Sequence, residues 1–307
     1  TPPEEAGLRA VLVELNKSEH TAALVNPETG EVIRRIPTGL GPHEAAVSRD
    51  GRTLYVANYG AFKPGNSISV IDVPTGSVLR TLDLGENGRP HGMVVGADDA
   101  LWVTTEESRS LLRLGGPDLA VERTCVTGED VTHMVVLTPD GTRAFTANIG
   151  SGTVSVVDVA GGAVRSIDTG EGPEGIDLTP DGTEVWVAHR NDNNLLILDA
   201  RTLERRATIP TGEFPIRVRM CPDGGRVLVS CAGSNELVVY DVAERKELGR
   251  VALDETPIGI LVSPDGAQAY VANTGADKVS VIDLETLEVT GFILPGREPD
   301  GMAWAAW

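Results

Sequence analysis

Short apolar runs recur along the whole chain, each bounded by Gly, Asp or Pro, and they fall into a fixed order. A turn comes first: SRDG at 48–51, TPDG at 138–141, TPDG at 179–182, CPDG at 221–224 and SPDG at 263–266. Asp-Gly suits a tight hairpin because glycine takes a positive φ at no steric cost. A β-branched and aromatic tetrad follows each turn: YVAN at 55–58, FTAN at 145–148, WVAH at 186–189, LVSC at 228–231 and YVAN at 270–273. A third run then carries aspartate near its end, as SVIDV at 69–73, SVVDV at 155–159, LILDA at 196–200, VVYDV at 238–242 and SVIDL at 280–284. Asp158, Asp199, Asp241 and Asp283 are spaced by 41, 42 and 42 residues, the length of a four-stranded propeller blade. Because this aspartate repeats from blade to blade it reads as a structural hydrogen-bond ladder, whereas a catalytic group would be singular.

Two weaker copies complete the count. LWVTT at 101–105 with SLLRL at 110–114 is a blade whose turn has become GADD, and LRAVLVELN at 8–16 with TAALVNPETG at 21–30 is a blade lacking its first strand. EPDGMAWAAW at 298–307 reads as that missing strand. The sequence therefore predicts one all-β domain over residues 1–307: a single seven-bladed β-propeller, four antiparallel strands per blade, with the ring closed by the C-terminal strand completing blade 1. The blades run over about 8–39 plus 298–307, 40–84, 88–127, 130–169, 172–211, 214–253 and 256–296. The YVAN, FTAN and WVAH tetrads, the PDG turns and the S-V-I-D strands resemble the YVTN family of seven-bladed β-propellers over almost the whole chain. That resemblance implies the fold. The family includes surface-layer proteins, binding scaffolds and enzymes, so function has to be read from the site.

Charge then narrows the partners. Lys plus Arg is 26 against 45 Asp plus Glu, a formal net charge of −19, which repels phosphate backbones and anionic lipid. Neither nucleic acid nor membrane is expected as a partner. No apolar run reaches the roughly 18 residues of a membrane span. The first residues, TPPEEAG, have no basic or apolar signal region, so a soluble protein is expected, either cytoplasmic or exported with its leader removed. Cys125, Cys221 and Cys231 are an odd set with no disulfide framework, and three thiols are expected.

In a propeller the first strand of each blade lines the central channel. Counting back from the turn glycines to equivalent positions gives a ring of Asp300, His43, His91, His133, Glu174, Ile216 and Ile258. Three of the five histidines fall in this one register, next to two carboxylates. Three imidazoles with Glu174 or Asp300 suit zinc, manganese, iron or copper better than calcium, which prefers oxygen ligands. A ring of hydrogen-bonded side chains around channel water is the alternative reading.

A second ring closes the tetrads: Asn58, Asn148, His189, Cys231 and Asn273, with Thr105 in blade 3 and Asn16 or Leu15 in blade 1. The asparagines read as turn residues. His189 is a candidate general base beside Glu174, and Arg190 a candidate anion clamp. Arg217, Cys231, Tyr59 and, in the long loop AFKPGNS at 61–67, Phe62 and Lys63 are candidate substrate contacts. These residues predict a divalent metal at the top of the channel and a metal-dependent lyase or hydrolase acting on a small molecule in the upper funnel. The layout is similar to that of the streptogramin lyases, which implies a metal and a catalytic histidine near the hub. The rival readings are a scaffold that meets a protein partner at its rim loops, with the His cluster as an inert hub, and copper handling or electron transfer at the hub.

Overall fold

The computed structural model describes residues 2–307 and holds seven four-stranded antiparallel sheets arranged as propeller blades. Six blades are contiguous, running outward from the hub in chain order; in blade 2 the strands are Pro42–Val47, Thr53–Gly60, Pro64–Asp72 and Ser77–Asp83. Blade 1 is composite. Its innermost strand, Pro299–Ala306, pairs antiparallel with Ala10–Asn16, so the C-terminal segment closes the ring as the sequence predicts. No helix among the described residues is long and apolar enough to cross a membrane.

The tetrad strands are buried on both faces because each blade is covered by a neighbour on either side. Phe145 and Trp186 are fully enclosed, and Tyr270 nearly so. Val11, Val13 and Leu15 of blade 1 pack against Leu54 and Val56 of blade 2, and the same interdigitation repeats around the ring. In the PDG turns Ser48, Thr138, Thr179 and Ser263 donate to Asp50, Asp140, Asp181 and Asp265. In blade 3 Asp99 stands in for the glycine and takes the same left-handed conformation, φ 61°. The aspartates ending the third strands form no ladder. Each caps the turn that follows: Asp199 accepts from the N–H groups of Arg201 and Thr202, and Asp283 from those of Glu285 and Thr286. The cysteines are free and buried.

Entry into the hub is the same in every blade. The residue two before each ring position, Gly41, Arg89, Val131, Gly172, Phe214, Thr256 or Glu298, has φ between 52° and 66°. For β-branched Val131 and Thr256 this conformation is costly, on the order of 1–3 kcal/mol, and persists only because the surroundings enforce it. A bulge follows, so that the ring residue is not paired across the strand: in blade 2 the register steps from Pro42↔Asn58 to Ala45↔Val56. Bulges re-aim side chains. Here they turn the ring residue toward the axis.

One residue further on, the seven first strands approach so closely that side chains fit in only three blades. Around the hub the residues are Gly301, Glu44, Gly92, Met134, Gly175, Arg217 and Gly259. A Cβ at Gly92 would lie 2.6 Å from the His133 carbonyl oxygen, and one at Gly175 would lie 2.6 Å from that of Ile216. Gly259 and Gly301 are crowded in the same way by the carbonyls of Asp300 and His43. The three large side chains meet in the space left over: Arg217 pairs with Glu44 from across the hub and also reaches the Met134 thioether. Gly175→Ala is expected to destabilise by on the order of 2–3 kcal/mol, because the obstacle is backbone of the next blade. Gly291→Ala, with nothing within 4 Å of its Cβ position, is the control and should be near neutral. Chemical denaturation of the two variants measures the difference, and equal effects would contradict the close approach.

Candidate functional site

All seven ring positions are brought to one end of the hub, where His43, His91, His133, Glu174, Ile216, Ile258 and Asp300 line a cavity of about 150 Å³ with Lys17, Tyr59 and Arg217. His91 is buried, and its ring centroid lies 3.6 Å from that of His133 and 5.5 Å from that of His43. Burial pulls both His43 and His91 below the usual imidazole range, His91 strongly so, with His133 and His43 adding to its shift. Both are neutral at pH 7 and able to accept a proton or a metal.

A layer above the ring supplies partners. The residue one past each second-ring position is Lys17, Tyr59, Glu106, Ile149, Arg190, Ala232 or Thr274, and in every blade its N–H donates to the carbonyl of the left-handed entry residue. This bond holds its side chain over the hub. Lys17 Nζ lies 3.2 Å from Asp300, Arg190 donates to Glu174 at 2.9 Å, and Tyr59 stacks on His43 with centroids 4.4 Å apart. Glu106 crosses to the next blade, where one carboxylate oxygen sits 2.6 Å from His133 Nδ1 while the other accepts from Tyr59 Oη at 2.6 Å. Burial raises the Glu106 carboxyl, but the bonds from His133 and Tyr59 outweigh it and hold the group below its usual range. Burial and the bond to Glu106 push the Tyr59 phenol well up. His91 has no such partner: its Nδ1 is buried without a hydrogen bond.

The compact donor set is therefore His91, Glu106 and His133, whose ligand atoms all lie within 4.8 Å of one another. Glu174 stands at its edge, 3.7 Å from His133 Nε2. Asp300 is taken by Lys17, and His43 by Tyr59 and the Gly41 carbonyl, to which its Nδ1 is 3.0 Å distant. Glu106 and Lys17 were not singled out by the sequence analysis. The signal that locates them is one step beyond the second ring, at the position already occupied by Tyr59 and Arg190.

The second ring has a different role from the one expected. Asn58, Asn148 and Asn273 are strand residues that donate to third-strand hydroxyls, Ser67 and Ser69, Thr153 and Ser155, and Ser280. Asn16, not Leu15, fills the slot in blade 1. Blades 5 and 6 have Leu196 and Val238 where Ser155 and Ser280 stand, and there His189 and Cys231 take the place of asparagine. His189 is fully enclosed, with both ring nitrogens lacking partners, and burial lowers it to about 4; it does not reach the cavity. The Cys231 thiol, also enclosed, is pushed up to about 11 by burial. The segment 61–67 lengthens a hairpin, pairing Gly60 with Pro64, and the candidate contact Phe62 at its tip is 99% exposed and does not line the cavity.

The family model for the YNCE-like β-propeller matches residues 7–306. The chain belongs to this family. Among solved structures, the YNCE-like chain is similar to hydrazine synthase of Kuenenia stuttgartiensis, at 22% identity and TM-score 0.78 over 87% of this chain and 90% of that one. A functionally unknown protein from Desulfotomaculum acetoxidans superposes at TM-score 0.83 and 14% identity, covering 96% and 99% of the two chains. The dihydro-heme d1 dehydrogenase NirN does so at 0.69 and 18%, covering 93% and 63%. At these identities the likeness is one of fold. No curated protein matches the chain.

One hub group stands apart from the YNCE-like scaffold. Glu14 is fully enclosed in blade 1, at the position held by Val56, Val103, Thr146, Val187, Val229 and Val271 in the other blades. Neither carboxylate oxygen has a hydrogen-bond partner. Burial, reinforced by Asp300, raises its carboxyl well above the ordinary 4.5. The folded protein therefore keeps a proton that the unfolded chain releases, and stability falls as pH rises above that ordinary value. Glu14→Gln removes this dependence. Its melting temperature should exceed that of the parent by a margin that widens from pH 5 to pH 8 and vanishes near pH 4; a margin independent of pH would refute a neutral Glu14.

Proposed function

We propose that the upper cavity holds a divalent transition metal between His91, His133 and Glu106, acting as a Lewis acid in the elimination or hydrolysis of a small molecule. The observation that supports this most directly is the buried, unpartnered Nδ1 of His91 inside a three-donor cluster whose atoms lie within 4.8 Å. Two imidazoles and a carboxylate are a donor set for zinc, manganese, iron or copper. A bound metal would polarise a carbonyl or a water at the cavity. His43, neutral and anchored through Nδ1 to the Gly41 carbonyl, is placed to receive a proton, and Arg190 fixes Glu174. The cavity, about 150 Å³, admits one functional group of a substrate while the rest of it lies in the open funnel.

A metal-free reading rests on the 2.6 Å contact between Glu106 and His133 Nδ1. A carboxylate on one ring nitrogen orients the other as a general base.

Elemental analysis of protein purified without a histidine tag, followed by zinc titration, separates the readings. About one equivalent of metal is expected, lost in His91→Ala, with affinity weakened about 10- to 100-fold in Glu106→Gln. Wild-type protein that neither retains nor takes up metal, or a His91→Ala variant that binds it equally well, would overturn the metal centre. Activity surviving complete chelation would favour the His133 base, and unchanged partner binding in His91→Ala would favour a rim-binding scaffold.

A further inference from the structure

The opposite end of the hub carries a second cavity of about 460 Å³ that shares no residue with the first. Arg217 and Glu44 stand between the two. Its chemistry is different. Four methionines occur in the whole chain, and three of them, Met93, Met220 and Met302, line this one cavity with Val47, Val262 and Trp304. Unbranched thioether side chains adapt to flexible apolar ligands, and the volume falls in the range of about 300–1,000 Å³ usual for small-molecule sites.

One cation faces this apolar wall without a hydrogen bond. Arg219 also lines the cavity, and among the described residues its guanidinium donates to no acceptor, while its Nε is buried and unpartnered. The nearest acid, Asp177, lies 3.8 Å away, beyond hydrogen-bond reach. Its two oxygens already accept from the backbone N–H groups of Leu178 and Met220. Arg49, the other arginine of the cavity, is engaged by the Ala97 carbonyl. In a chain of net charge −19, a partly exposed arginine held only by a 3.8 Å ion pair, with no hydrogen bond, beside methionine and valine side chains suits an anion that carries an apolar tail.

We infer that the lower cavity binds an aliphatic carboxylate, with its headgroup on Arg219 and its chain among Met93, Met220, Met302 and Trp304. The inference is independent of the metal centre at the other end of the hub.

Calorimetric titration with octanoate and decanoate tests it. One site is expected, with decanoate about tenfold tighter than octanoate, since two more buried methylenes contribute about that factor. Arg219→Gln should weaken decanoate at least tenfold and leave decanol binding unchanged, which also shows that the variant is folded. Arg219→Lys should restore part of the loss, and His91→Ala should bind decanoate as the parent does. No binding at millimolar decanoate, an affinity independent of chain length, or an Arg219→Gln variant that binds decanoate normally would each overturn the assignment. So would loss of decanoate binding in a folded His91→Ala protein, because it would place the ligand at the upper end.

Discussion

Crowding at the axis governs the rest of this molecule. Seven strands converge on a hub whose narrowest layer leaves no room for seven side chains, and the chain meets that limit with Gly92, Gly175, Gly259 and Gly301 against Glu44, Met134 and Arg217. The glycines let each succeeding blade bring its backbone in, and the three large side chains fill what remains. A buried ion pair contributes little net stability, yet losing one partner of it is expensive, about 3–5 kcal/mol. Arg217 and Glu44 are thus better understood as a partition than as a source of stability. They divide one channel into two chambers of unlike chemistry.

The upper chamber follows from the way the chain enters that crowded layer. A left-handed residue, a bulge and a ring residue aimed at the axis recur in all seven blades, so the scaffold delivers seven side chains to one place whatever their identity. Identity was then free to diverge, and blades 2 to 4 carry histidine while blades 6 and 7 carry isoleucine. The layer above neutralises most of the polar members. Lys17, Tyr59, Glu106 and Arg190 answer Asp300, His43, His133 and Glu174, which leaves His91 as the one polar member of the ring with no partner in that layer.

The fold was legible because its signals are local: Asp-Gly turns and apolar tetrads repeat at a constant interval, and the hub ring follows by counting from the turn. Asp99 even adopts the backbone conformation of the glycine it replaces. The site was legible only in its first layer. Glu106 acts across a blade boundary, on His133 rather than on His91 of its own blade, and no spacing along the chain encodes that crossing. His189 and Cys231 were misread for a related reason. Their singularity suggested chemistry, whereas each replaces an asparagine whose third-strand hydroxyl partner has become Leu196 or Val238. The substitution goes with a change on the adjacent strand, which single positions do not reveal.

The composite blade also sets a schedule for the nascent chain. Ala10–Asn16 is made roughly 280 residues before Pro299–Ala306, the strand it must pair with. At ribosomal speeds of about 5–20 residues per second, that is an interval of roughly a quarter of a minute to a minute. Throughout it the inner border of blade 1 offers unpaired peptide groups to any passing strand. The closing segment carries Asp300 and Met302, one from each chamber. Neither chamber exists before the ring shuts, so any ligand of either one would report ring closure.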